Sequence, residues 1–276
     1  MCVNLDVNFG TMKNILVPVG SSKNAQSHLQ YAVDFAKEFG AKVYVIQIYN
    51  VYTKAGTMIK VDHILERESR AFLDSHVTSI ESKGVEVITK VFKGKLIDTL
   101  EYVCETLEID LIVLEPRTNS IKDEVYLGKT SGKIVKQTQI PALIVPEGYA
   151  YKPVKSILMA VKSAIINKKS ALKPLMDIKS QYNAEVNLLL VKTHFYTKGD
   201  FTLNKELKSI VSEIRKTENA TTFQGVLEHY KSFDPDMLCV VRRKRGFFTK
   251  LWEDNTILKK DFHSSTLPVL VLRGLK

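Results

Sequence analysis

Cysteine is scarce in this chain of 276 residues, and its three copies stand apart from one another. Cys2, Cys104 and Cys239 form neither a CxxC pair nor the Cys and His spacing of a zinc site, so neither a disulfide scaffold nor a structural zinc site is indicated. Long apolar runs are missing as well, because none approaches the ~20 residues that cross a bilayer. Residues 1–11 carry Asp6 and lack the basic start of a signal peptide. We therefore expect a cytoplasmic protein without a transmembrane segment.

Recognisable catalytic patterns are also absent. The six histidines are dispersed, with no HExxH pair, no nucleophile elbow and no Ser or Cys partner at a familiar spacing. Gly128, Lys129 and Thr130 match the end of a phosphate-binding P-loop, but Asp123 stands where that motif needs its first glycine. A capped helix start explains these residues without chemistry. The sequence predicts no catalytic residue and no metal site.

The first half of the chain lacks an excess of positive charge. Residues 1–150 hold 17 Lys and Arg against 18 Asp and Glu, whereas residues 151–276 hold 23 against 12. The net charge of +10 therefore belongs to the second half. Such a half suits an anionic ligand or an acidic protein partner. Its lysines are scattered along helical stretches, however, which favours an ordinary solvated surface, and we expect no specific nucleic-acid binding.

What the chain does contain is an internal repeat. The repeated runs are residues 13–19 with 155–161, residues 110–114 with 236–240, and residues 140–145 with 267–272. Each copy is far longer than a solenoid unit, so the repeat indicates two whole domains of one fold. The copies lie 142 residues apart at their first run and 127 apart at their last, so the second copy is the shorter.

The repeat divides the chain into four parts. We predict an N-terminal extension at residues 1–11, a first domain at 12–147, a linker at 148–153 and a second domain at 154–276. Glycine and proline mark the linker. Each domain is long enough to bury a core of its own.

Short apolar runs alternate with helical patterns inside each copy. The predicted strands of the first copy are residues 15–19, 43–48, 85–92, 111–114 and 142–145, and those of the second are 157–161, 186–191, 220–225, 237–241 and 269–272. Continuous apolar runs are typical of strands buried on both faces. Alternation with helices calls for parallel strands joined by right-handed crossovers. The prediction is an α/β fold with two tandem, doubly wound, five-stranded parallel sheets.

Several of these runs resemble the universal stress protein family. They are the first strand at 15–19, a fourth strand opened by Asp110, the glycine before a helix at Gly128, and the closing run at 141–145. The resemblance extends over residues 13–273 as a tandem pair and is strongest at strands one, four and five. It implies the strand order 3-2-1-4-5 of the adenine nucleotide alpha hydrolase-like fold, and pairing of two domains through their fifth strands. In a tandem chain the halves would form this pseudo-dimer within one polypeptide, and a homodimer of the whole chain stays open.

Many members of that family bind ATP or AMP, in the crevice where strands one and four end. Nucleotide-binding members place an aspartate after the first strand and a G-x-x-G-x9-G-[ST] pattern after the fourth. Here Gly20 stands at the aspartate position, and Glu115 and Thr118 replace the two early glycines. We therefore expect no cofactor, with ATP or AMP at a degenerate first-half site as the alternative. The residues of that site would be Val19, Gly20, Leu114, Gly128, Lys129, Thr130 and Ser131.

The second copy has lost the nucleotide signature and replaces it with positive charge. Lys162 stands at the aspartate position, and basic residues follow the fourth strand. By topology they converge on one crevice, where arginine could bind a phosphate or carboxylate in a bidentate manner. The candidate anion site is Lys162, Arg242, Arg243 and Lys244. A solvated basic loop is the alternative.

Two further features have structural interpretations. Phe247, Phe248 and residues 251–252 form one apolar helical face, for which burial against the sheet is favoured over an exposed anchor for a partner or an anionic membrane. Asp110 and Asp236 recur at matching places and open a strand at the end opposite the crevice. Turn or cap chemistry is the simpler explanation for this pair.

These observations lead to three hypotheses about function. The first is a non-catalytic cytoplasmic stress-response protein that acts as a regulatory or protective binding protein. The second is an adenine-nucleotide sensor that uses the degenerate first-half site. A slow nucleotide hydrolase ranks last, because no metal-binding carboxylate pair can be placed in either crevice.

Overall fold

The structure is a computed structural model that describes residues 12–20, 24–50, 58–116, 125–127, 129–166, 168–242, 257–258 and 266–273. Several predicted features lie outside these residues. They are the extension at 1–11, Gly128, the side chain of Lys129, Arg243, Lys244 and the aromatic run at 247–252.

The first half alternates strands and helices. Its elements are β1 (Asn14–Pro18), α1 (Ala25–Phe39), β2 (Lys42–Tyr49), α2 (Met58–Val77), β3 (Val87–Lys93), α3 (Leu96–Thr106), β4 (Leu111–Leu114), β5 (Val125–Leu127), α4 (Lys129–Gln137) and β6 (Ala142–Ile144). Helix α1 ends where Gly40 adopts a left-handed backbone, with φ of 61°, and its N–H donates to the carbonyl of Lys37. Glycine suits this position because it has no Cβ to strain.

The second half repeats this order in a shorter form. Its elements are β7 (Ser156–Val161), a 3₁₀ turn (Lys169–Leu172), α5 (Lys173–Tyr182), β8 (Glu185–Lys192), α6 (Lys205–Ile210), β9 (Glu213–Glu218), α7 (Thr222–Phe233), β10 (Met237–Val241), β11 (Ile257–Leu258) and β12 (Val269–Leu272). Helix α6 has six residues where α2 has twenty, which shortens the second copy.

One predicted element is wrong. Residues 220–225 do not form the third strand of the second half, because that strand is β9 and residues 222–225 open α7. The Thr221 hydroxyl accepts a hydrogen bond from the N–H of Gln224 at 3.2 Å and so caps the helix. Among the described strands, β9 lies at the end of the sheet beside β8, and it carries mostly charged residues, so it lacks the apolar run of a buried strand.

Ten strands form one sheet in the order β3-β2-β1-β4-β6-β12-β10-β7-β8-β9. Each half contributes a parallel block in the order 3-2-1-4-5, which confirms the predicted fold class. At the centre β6 pairs antiparallel with β12, with Leu143 opposite Leu270 and Ile144 opposite Val269. Strands β5 and β11, one from each half, form a separate antiparallel pair that the sequence did not predict.

Two apolar layers cover the sheet, one on each face. One layer lies under α1 and α5 and contains buried residues of both halves, such as Leu29, Phe35 and Leu175. The other lies under α3, α4 and α7 and includes Leu100 and Val226. The strands are therefore buried on both faces, as a doubly wound sheet requires. Within the described ranges, no helix has both the length and the apolar character needed to span a membrane.

Candidate functional site

Each half presents a crevice where its first and fourth strands end. In the first half β1 and β4 are neighbours, with Ile15 opposite Leu111, and in the second half β7 and β10 are neighbours. Because β6 and β12 run antiparallel, the strands of the two parallel blocks point in opposite directions. Their carboxyl ends therefore lie on opposite sides of the sheet along the strand axis. The two candidate sites therefore face in opposite directions.

Among the described residues, the first crevice has an apolar floor. Val19 and Leu114 are buried, and the N–H of Val19 donates to the carbonyl of Ile46 at 2.8 Å. In the first turn of α4, Ser131 is buried, and its hydroxyl donates to the carbonyl of Glu115 at 3.0 Å. Thr130 is exposed. The structure thus brings part of the predicted nucleotide site together but uses the Ser131 hydroxyl to tie α4 to β4.

A small recess lies beside this crevice, on the face covered by α1. Asn24, Ser27 and His28 line it together with Glu115 and residues 145–149. The space among these residues is partly open to solvent and encloses no cavity that could hold a small molecule. Burial lowers the pKa of His28 to about 4, so the imidazole is neutral near neutral pH.

The second crevice is basic. Lys162 is exposed directly after β7, and Arg242 is half-buried directly after β10, where its N–H donates to the carbonyl of Leu272 at 3.0 Å. Of the four predicted anion-binding residues, these are the two that the described residues include.

The sequence interpretation missed a third basic residue at this edge. Arg273 directly follows β12 and is only 5% exposed. Burial, together with the charge of Arg242, lowers its pKa to about 9. The sequence feature that could have identified Arg273 is its position, because it directly follows an apolar strand that ends beside the crevice.

The two recurring aspartates have the structural role that their position predicted. Asp110 accepts backbone hydrogen bonds from Lys13 and Asn14 at 2.8 and 3.1 Å. Asp236 accepts the equivalent bonds from residues 155 and 156 at 2.9 and 3.1 Å. Burial opposes ionisation of Asp236, but these bonds and the ammonium group of Lys152 hold its pKa below the usual value. The cap interpretation is confirmed.

Aromatic side chains connect the two halves near the linker. Tyr31 of α1 contacts the rings of Tyr149 and Tyr151 at centroid distances of 6.1 and 5.8 Å. The hydroxyl groups of Tyr151 and Tyr182 lie 3.0 Å apart. These contacts place Tyr149 and Tyr151, in the predicted linker, between α1 of the first half and α5 of the second. Burial raises the pKa of Tyr31.

Reactive groups are inert or dispersed in the described part of the chain. Cys104 and Cys239 are free but buried, and burial raises the pKa of Cys104 to about 12. No group of three or more His, Cys, Asp or Glu side chains among the described residues could hold a metal ion.

Known proteins resemble this chain in sequence and in architecture. The sequence profile of the universal stress protein family matches residues 11–146. A universal stress protein of Methanocaldococcus jannaschii is 25% identical over 138 residues, which cover 48% of this chain and 81% of that protein.

Two solved structures extend the likeness to both halves. A universal stress protein from Archaeoglobus fulgidus superposes with a TM-score of 0.66 at 17% identity, over 95% of this chain and 96% of that one. A protein of unknown function from Pseudomonas aeruginosa gives a TM-score of 0.58 at 13% identity, over 95% and 92% of the two chains. The superpositions show a common fold, and the first half of the chain matches the universal stress protein family.

Proposed function

We propose that this protein is a non-catalytic cytoplasmic universal stress protein that acts as a regulatory or protective binding protein. The observation that carries the proposal is the contrast between two unlike crevices in one continuous sheet. The first is lined by Gly20 and Glu115, whereas the second is lined by Lys162 and Arg242. One sheet holds these two different binding surfaces, which suits a protein that binds more than one ligand or partner.

The state of the potential reactive groups supports binding over chemistry. A thiol acts as a nucleophile only as its thiolate, and burial raises the pKa of both Cys104 and Cys239. His28 is neutral but lies in the core layer under α1. The Ser131 hydroxyl is engaged with the carbonyl of Glu115. None of these groups combines exposure with an activating partner among the described residues.

The pairing of β6 with β12 supports a self-contained pair of domains. Each is the fifth strand of its parallel block, and each would otherwise present an unpaired apolar edge. We infer that the two halves act together as the intramolecular counterpart of a dimer of single domains. Lys173 of α5 supports this arrangement, since its ammonium group lies 3.5 Å from the carboxylate of Asp110 in the other half.

An adenine-nucleotide sensor is the second candidate, and the exposed Thr130 favours it. Its hydroxyl lies in the first turn of α4, where free backbone N–H groups and the helix dipole favour a phosphate. The carboxylate of Glu115 at the end of β4 opposes such a ligand. We therefore expect weak binding of ATP or AMP, or none.

Native mass spectrometry of the purified protein, followed by calorimetric titration with ATP and AMP, distinguishes the two candidates. We expect no co-purified nucleotide, no sub-micromolar binding and no phosphate release from ATP above the rate in buffer. Sub-micromolar binding that Thr130→Val weakens, while Thr106→Val on the exposed end of α3 does not, would establish the sensor instead. Sustained phosphate release in proportion to protein concentration would contradict the non-catalytic proposal.

A further inference from the structure

Three neighbouring parallel strands of the second half each end directly before a basic residue. Lys162 follows β7, Arg242 follows β10 and Arg273 follows β12. Strand register aligns them, because Ala160 lies opposite Val240, and Val241 lies opposite Leu272. The ladder continues to the N–H of Arg242, which donates to the carbonyl of Leu272. The three cations therefore form one row across the carboxyl ends of these strands.

The row belongs to one face of the sheet. In each strand, the residue two positions before the basic residue contributes to the apolar layer under α7. These residues are Ala160, Val240 and Val271. Side chains along a strand alternate between the two faces, so positions two apart share a face. Continued alternation brings the three basic side chains to the α7 face of the crevice.

Arg273 has the feature that most directly indicates a ligand. Its side chain is 5% exposed, and its Nε and Nη2 are buried without a hydrogen-bond partner in the described part of the chain. These two nitrogens form one edge of the guanidinium group, the edge that binds two oxygens of a phosphate or carboxylate together. A buried charge without a partner is costly, and the half-buried Arg242 beside it adds repulsion. A bound anion would remove both penalties.

The fold itself does not require this row of cations. At the corresponding positions the first half has Gly20, Pro116 and Pro146, none of which carries charge. The same strands, in the same order, thus end without basic residues in the other copy. A row of three basic residues directly after these three strands is therefore specific to the second half.

We propose that the ends of β7, β10 and β12 bind an oxyanion of the phosphate class, with Arg273 as its bidentate anchor. Arg242 supplies a second cation, and Lys162 contacts the solvent-facing side of the ligand. Two guanidinium groups favour a phosphate dianion over a carboxylate, which carries a single charge. This inference rests on the binding function proposed above and names the ligand class of the second crevice.

Calorimetry and thermal unfolding of the full chain test the site, with inorganic phosphate, glycerol phosphate and acetate at constant ionic strength. The variants are Arg273→Met, Arg242→Met and a matched control, Arg67→Met, which removes an exposed charge on α2. We expect saturable phosphate binding that raises the Tm of the parent and of the control. Arg273→Met should weaken it by about tenfold or more, because charged hydrogen bonds are lost. Arg242→Met should weaken it less.

The two phosphate probes distinguish the source of the ligand. Tighter binding of glycerol phosphate indicates the phosphate group of a larger molecule, and tighter binding of inorganic phosphate indicates the free ion. Without any anion, Arg273→Met should be at least as stable as the parent, because it removes an unpaired buried charge.

Three results would overturn the site. They are no phosphate response in the parent, acetate binding as tight as phosphate binding, and equal loss of phosphate binding in Arg67→Met. A destabilised Arg273→Met without any phosphate response would show that the guanidinium is satisfied within the chain. ATP hydrolysis by the protein would refute the proposed non-catalytic function while leaving the phosphate response intact, so the two failures are distinguishable.

Discussion

His28 is a titratable side chain held in an apolar layer. It is 7% exposed and lies on α1 one residue before Leu29, which is fully buried. The backbone of Val113 favours a charged imidazole. Desolvation outweighs this effect, since burial lowers the pKa of His28 from 6.5 to about 4.

This shift predicts a loss of stability in mild acid. Between its folded pKa of about 4 and its unfolded value of 6.5, His28 binds a proton only in the unfolded chain. Stability that is complete above pH 6.5 is therefore lost as the pH falls towards 4. From pH 7 to pH 5 we expect His28 to contribute about 2 kcal/mol of the loss. Urea unfolding of the parent and of His28→Leu at both pH values measures this contribution.

The matched control is His63→Leu, which removes an exposed histidine on α2. Its pH dependence should equal that of the parent, whereas that of His28→Leu should be shallower by about 2 kcal/mol. Equal slopes in all three proteins would show that His28 does not titrate on unfolding.

Single residues were predictable where type alone decides their role. Asp110 and Asp236 recur directly before matching strands. A carboxylate at such a position commonly accepts hydrogen bonds from nearby backbone N–H groups, as both residues do. Arg273 was not predictable in the same way. Its importance depends on burial and on the alignment of three strands that are distant in sequence, and neither quantity is visible in a residue type.

At the scale of elements, buried strands were easier to predict than edge strands. The apolar runs of β1, β7 and β10 lie within one residue of their predicted bounds. Strand β9 was missed because an edge strand with exposed side chains carries charge, which also protects it from pairing with other chains. Residues 222–225 instead open α7, and Thr221 before them is a typical N-cap residue.

Helix α7 packs unusually close to the sheet at Gly225. A Cβ at this position would lie 2.8 Å from Cγ2 of Val191 and 3.1 Å from Cγ2 of Thr217. Gly225→Ala should therefore destabilise the protein by about 1–3 kcal/mol through overpacking. The gain in helix propensity, about 1 kcal/mol, opposes this effect but does not exceed it. Urea unfolding at neutral pH measures the balance.

A double variant tests whether the close contact is the cause. Val191→Ala removes the methyl groups nearest Gly225, so adding Gly225→Ala to it should cost less than in the parent. Lys231→Ala, an exposed change on the same helix, should alter stability by less than about 0.5 kcal/mol. A stabilised Gly225→Ala would mean that α7 has room to move away from β8.

For the whole molecule, the repeat predicted two like domains, and the family resemblance implied the strands through which they would meet. It did not predict the aromatic contacts among Tyr31, Tyr151 and Tyr182, because all three rings lie outside the repeated runs. It also did not predict the small sheet of β5 and β11. These strands have only three and two residues, which is too few to show the periodic apolar pattern of a strand. Such contacts arise only after the two halves are packed together.

The shared sheet and the shared apolar layer predict that the halves unfold together. Leu29 of the first half and Leu188 of the second are fully buried in the same layer. Leu29→Ala and Leu188→Ala should each lower the free energy of unfolding by about 2–5 kcal/mol. Because opening either half would expose the common layer, each substitution should weaken protection of the opposite half as well. Hydrogen exchange of the amides in β1 and β8 reports the two halves separately.

The two variants test the same prediction from opposite halves of the molecule, so each serves as the control for the other. In a cooperative molecule, amides of β8 lose as much protection in Leu29→Ala as amides of β1 do, and Leu188→Ala gives the mirror result. Loss confined to the substituted half would mean that the pairing of Leu143 with Leu270 joins two independently stable domains. The ten-stranded sheet would then be a docking arrangement, and binding at one crevice would have no energetic route through the sheet to the other.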